Sequence, residues 1–155
     1  MPDAAKLMEL AEKLNAMVPL RRSRTGLMGY EGRRRKVPLL RIAEFFDGND
    51  DEQSLIRGAR HTGLKQMRMI LEEIERLPDV HAVRIAVTEY AAPEETQRWP
   101  YADRVLVVAS LSRDDILRLF RPLRPSEVID GKEDTYFGVP EVAGGDVLYD
   151  IGWAE

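Results

Sequence analysis

The run Val105-Leu106-Val107-Val108-Ala109 is apolar at every position. Successive side chains of a strand point to opposite faces, so a strand made from this run is apolar on both. Such a strand belongs in the middle of a sheet, covered on two sides. The rest of the chain must therefore supply two covers. With 155 residues, 44% of them hydrophobic and 32% charged, it is long enough to do so as one globular domain. It has no cysteine, which removes disulfides, thiolate nucleophiles and Cys-bound zinc. No apolar run approaches the length of a membrane span, and the start shows no charged-then-apolar signal pattern. Together with a cysteine-free composition this predicts a cytoplasmic protein.

The other elements follow from periodicity and punctuation. Asp3 to Val18 carries Leu7, Leu10, Ala11, Leu14, Met17 and Val18 at helical spacing, with Asp3 as cap and Pro19 as stop. Leu20 to Lys36 has no period and reads as a loop or arm. Val37 to Ile42 predicts a first strand, and Ala43 to Phe46 either continues it or makes a short helical turn before Gly48-Asn49 breaks the chain. His61 to Leu77 predicts a long helix capped by Thr62 and stopped by Pro78. Ala82 to Tyr90 alternates as a strand, with Val83, Ile85 and Val87 on one side. Ala91 to Asp103 reads as a hairpin loop. After the central strand, Ser112 and Asp115 form a capping box for another helix. Ser126 to Gly145 reads as acidic loop, and Val147 to Trp153 as the last strand.

Past the first helix the order is β-α-β-β-α-β. Two interleaved crossover units of this kind predict an α+β, ferredoxin-like βαββαβ sandwich with an additional N-terminal helix. The chain is then one domain, with residues 1–36 as helix and basic arm and 37–155 as the sandwich. In this arrangement Asp47 to Arg60, Ala91 to Asp103 and Arg121 to Asp146 emerge at one end of the sheet. The opposite face of the sheet needs a cover. Either the N-terminal helix supplies it or two copies pair across a twofold axis, and the slack of the Arg21 to Lys36 arm argues for the homodimer.

Charge is unevenly distributed. Net charge is only −4, but Arg21 to Lys36 holds seven cations against Glu31, while the tail from Glu127 is acidic with Lys132 as its one cation. The basic arm could neutralise nucleic-acid phosphates, yet Tyr30 is its only aromatic, which argues against a single-strand binder. Asp47, Asn49 and Asp51 have the first three spacings of a calcium loop, but Glu52 stands where glycine belongs and Gly58 where glutamate belongs. Turns in which Asp47 or Asn49 accepts from nearby backbone N–H groups explain the spacing better. His61 and His81 flank a helix that holds them roughly 25 Å apart at ~1.5 Å per residue, too far to share a metal. No phosphate-binding loop, dinucleotide fingerprint or nucleophile elbow is present, and no pattern calls for a cofactor.

Phe45-Phe46-Asp47-Gly48-Asn49-Asp50-Asp51-Glu52 followed by Trp99-Pro100-Tyr101-Ala102-Asp103-Arg104-Val105 resembles a group of uncharacterised bacterial proteins carrying both motifs in this order. The resemblance implies no activity. It does imply that the two motifs share one surface or one structural junction.

Two functional expectations result. The first is a non-enzymatic binding module of toxin-neutralising or regulatory type. Its acidic pole, made of Asp47, Asp50, Asp51, Glu52, Glu94 and Glu95 with Trp99 and Tyr101, would meet a basic protein partner. Trp99 and Tyr101 can equally fold back and plug the core. The second is a divalent-metal-dependent hydrolase of phosphate esters, with Asp47, Asp50, Asp51 and Glu52 as candidate ligands.

Overall fold

The computed structural model describes residues 3–19, 36–56 and 63–153, together with the backbone of 21–22 and 28–29. Of the basic arm, only Lys36 and a short ladder pairing Arg21–Arg22 (β1) with Met28–Gly29 (β2) are described. His61 and Thr62 lie outside the described residues.

Helix α1 spans Ala4–Met17, and the Asp3 carboxylate accepts from the backbone N–H groups of Ala5 and Lys6 at its start. Strand β3 is Val37–Leu40. Helix α2, Ile42–Phe46, follows at once, so Ala43 to Phe46 takes the helical alternative and buries Ile42, Phe45 and Phe46. Helix α3 is Leu64–Glu75, shorter than the expected 61–77, and strand β4 is Val80–Glu89. Strand β5, Tyr101–Ala109, contains the apolar run. Helix α4, Arg113–Phe120, has the expected capping box: Ser112 Oγ accepts from Asp115 N, and Asp115 Oδ2 accepts from Ser112 N. Three strands complete the sheet: β6 (Glu127–Asp130), β7 (Tyr136–Phe137) and β8 (Val147–Gly152).

The class is α+β as expected, but the strand order differs from the ferredoxin-like one. That fold separates its first two strands and makes them parallel. Here β3 pairs antiparallel with β4, β4 with β5 and β5 with β8, in a sheet ordered β6-β8-β5-β4-β3-β7. The cause is the segment after α2. Leu55 pairs parallel with Ala102 at the start of β5, so the chain has already returned to the end of the sheet where β5 begins. Helix α3 then leads through a short turn into a neighbouring strand that runs back, and no crossover forms. Strands β6 and β7 replace part of the expected acidic loop. They escape a periodicity search because β6 buries only Val128 and β7 only Tyr136.

Strand β5 is central and covered twice, as its composition demands. On one face Val105, Val107 and Ala109 join a core to which all four helices α1 to α4 contribute, among them Leu10, Phe45, Met67, Leu71, Ile116 and Phe120. On the other, Leu106 and Val108 pack with Leu39, Ala82, Ala86, Leu148 and Tyr136, flanked by Val139 and Val142. The N-terminal helix thus sits with the other helices. The open face from which a homodimer was expected to form is closed by residues 136–142 of the same chain. That closure requires a curled sheet. Strands β7 and β8 are four steps apart in the strand order, ~19 Å across a flat sheet at ~4.8 Å per step, yet the Tyr136 hydroxyl donates to the Asp150 carboxylate. Register shifts along the β4–β5 pair, at Val80/Ala82, Ala86/Val87 and Val87/Glu89, add to the twist that makes this reach feasible. Among the described residues no helix is long and apolar enough to cross a membrane.

Candidate functional site

The acid-rich stretch is built as a chain of local turns. Asn49 Oδ1 accepts from Asp51 N at 2.9 Å, and Asp51 Oδ1 accepts from Gln53 N at 3.0 Å. Each is a short polar side chain bonding its own backbone two residues on. The Asn49 amide also donates to Ser54 Oγ at 2.9 Å, which holds the buried Ser54 in place. Gly48 has φ +80° and lies against the start of α1, where an added Cβ would come within 2.8 Å of Lys6 Cδ. Glu52 Oε2 accepts from Leu64 N at 2.8 Å, so a carboxylate twelve residues away caps α3 and meets the positive end of its dipole. Asp47 pairs with Arg68 of α3 at 2.8 Å.

The second motif docks on the first. Trp99 is buried, and its indole N–H donates to the Phe45 carbonyl at 2.8 Å. Ala102 N donates to Ser54 O and Ile56 N to Ala102 O, both at 2.8 Å. Arg98 reaches Asp51 Oδ2 at 3.3 Å. The two motifs therefore form one structural junction, and Trp99 closes an end of the core.

Beside that junction lies a cleft of about 450 Å³ lined by Asp51, Ser54, Glu89, Tyr90, Glu95, Arg98, Trp99 and Tyr101, among others. Four of the eight sequence-derived candidates meet there: Asp51, Glu95, Trp99 and Tyr101. Trp99 and Tyr101 are buried and contribute lining, with little exposed aromatic surface. Asp47 faces a separate groove of about 420 Å³ between α1 and α2, along with Lys6, Lys13, Arg41 and Glu44. Asp50 and Glu94 are exposed outside the cleft lining, and Glu52 is engaged with α3. Glu89 belongs to the cleft and was missed by sequence reasoning. Its only signal was its place at the end of a strand, where the chain turns outward. The third expected loop does not join this end, because residues 131–146 lie along the curled face instead.

Among the described residues no group of three or more His, Cys, Asp or Glu is placed to hold a metal ion. Asp47 and Glu52 point to different partners, Arg68 and the N-terminus of α3, so the proposed ligand set does not converge.

A second polar cluster was also missed. Asp150 is only 3% exposed. Its Oδ1 accepts from Arg104 Nε at 2.6 Å, and its Oδ2 accepts from the Tyr136 hydroxyl. Arg104 Nη2 bonds Glu127 Oε1 at 2.8 Å. Gly152 leaves room for the guanidinium: a Cβ there would stand 2.6 Å from its atoms. Burial pushes the Tyr136 hydroxyl well above the ordinary tyrosine range, and the hydrogen bond and charge of Asp150 push the same way. Burial opposes the Arg104 charge, but hydrogen bonds and attraction from Glu127 and Asp150 outweigh it and raise its pKa. These residues sit on separate strands, and their convergence depends on the curl of the sheet.

The model of a protein family described as "Uncharacterized protein YfbO family" matches residues 19–151, a span that holds both motifs and both clusters. No curated protein and no solved structure matches the chain.

Proposed function

We propose, from the premise that the chain belongs to the YfbO family, whose description assigns no activity, that it is a non-enzymatic protein-binding module. The partner is a basic protein, and the relation is of toxin-neutralising or regulatory type. The observation that carries this reading is the cleft in which Asp51, Glu89 and Glu95 outnumber Arg98. A lysine or arginine side chain of the partner would enter beside these carboxylates and lay its aliphatic stem on the surface offered by Tyr90 and Tyr101. Asp50 and Glu94, exposed nearby, would add to the field that speeds encounter and turns away acidic competitors. A cytoplasmic setting is part of the same proposal.

The test is a Glu89→Lys/Glu95→Lys variant, checked for native circular dichroism and then used as bait beside the unaltered chain. Unaltered protein should capture a basic protein from its source cell, and capture should weaken steeply between low and physiological salt. The double variant should lose that partner. Equal capture by both baits would overturn the proposal.

A further inference from the structure

Residues 132–146 form a strap over the curled face of the sheet, and they are anchored at one point. Of residues 132–147, Tyr136 alone is buried. The strap carries Glu133, Asp134, Glu141 and Asp146 outward, while Val139 and Val142 touch the apolar face only in part. Its ladder is short. Strand β7 has two residues and pairs with Val37 and Pro38 of β3, and Pro38 has no N–H to give. Glycines stand at both ends. Gly131 follows β6, and Gly144-Gly145 precede β8, where added Cβ atoms would meet nothing within 4 Å. Gly145, at φ +90°, uses the conformational freedom of its residue type.

We infer that residues 132–146 are a hinged strap that opens as a unit about Gly131 and Gly144-Gly145, held shut by the Tyr136–Asp150 latch. The latch has the two requirements of a bistable closure. Its acceptor is set in advance, because Arg104 holds Asp150 whether or not Tyr136 is present. Its donor is the one strap residue whose release removes buried contact. Opening uncovers Leu39, Ala86, Leu106, Val108 and Leu148, an apolar concave surface with the Arg104–Asp150 pair at its side. The helical core on the opposite face makes no contact that must break. Local openings of this kind occupy the low-stability end of a protein's opening spectrum, well below global unfolding.

Native-state hydrogen exchange on the full chain tests the device. In the unaltered protein the amides of β7, and that of Gly131, which donates to Leu148 O, should exchange at least ~100-fold faster than those of β5 after correction for intrinsic rates. Tyr136→Phe should accelerate the strap amides a further ~10-fold, as expected for loss of a hydrogen bond to a charged acceptor, and leave β5 unchanged. Trypsin cleavage after the exposed Lys132 should accelerate in parallel. Exchange of β7 at the β5 rate in the unaltered chain would overturn the inference without recourse to any variant. So would a folded Tyr136→Phe protein whose strap exchanges and is cleaved as before.

Discussion

Single side chains in this protein decide how distant segments meet, and Trp99 is the clearest case. Its ring fills the core, and its N–H satisfies the Phe45 carbonyl inside it. Trp99→Phe keeps most of the apolar contact and leaves that carbonyl bare. The expected loss is about 1–3 kcal/mol, measured by urea denaturation. Tyr136 makes a prediction in pH. Its pKa in the folded chain is raised above the usual tyrosine value, first by burial and then by Asp150. The folded state therefore keeps a proton that the unfolded state releases. This contribution is fully present below the unfolded value of ~10 and is lost as pH rises beyond it. Stability should fall above about pH 10, and Tyr136→Phe should flatten the part of the fall that this group causes. A denaturation series from pH 8 to 11 on both proteins checks the sign.

At the scale of elements, α3 shows how a helix can depend on a distant residue. Its N-terminus has no side-chain cap from its own flank, since Gly63 precedes it with φ +105°. Glu52 supplies the missing acceptor. Glu52→Ala should cost about 0.5–2 kcal/mol, whereas Glu94→Ala, on an exposed turn, should change stability by less than about 0.5 kcal/mol. Thermal unfolding of the pair distinguishes the two acids. The comparison also separates structural from recognition roles within the acidic pole, because Glu52 and Asp51 are tied into turns while Glu89 and Glu95 line the cleft.

For the whole molecule, the double cover of β5 is the governing arrangement. Leu106 is as buried as Val107, although the helices lie on only one of the two faces. Leu106→Ala should therefore destabilise the folded chain itself, by about 2–5 kcal/mol. Equilibrium unfolding at two protein concentrations checks this, because closure within one chain makes the midpoint independent of concentration. A midpoint that rises with concentration in the unaltered protein and ceases to do so in Leu106→Ala would instead place that face between two copies.

Much of this was legible in the sequence, because much of it is local. The apolar run at Val105 to Ala109 required a central strand with two covers. The caps at Asp3 and Ser112, the stripe of α1 and the alternation of Val83, Ile85 and Val87 are each written within a few residues of where they act. The turn chemistry of Asn49 and Asp51 is of the same kind. What only the tertiary structure decided are the relations that no short window contains. Strand order depended on whether the chain returned along the sheet before α3 began, and that was settled by the pairing of Leu55 with Ala102. The second cover came from a segment too polar to show a period, because a strap anchored by one tyrosine needs only one buried residue. The Arg104–Asp150–Tyr136 cluster exists because the sheet curls, and curl accumulates over strands whose order the sequence does not state.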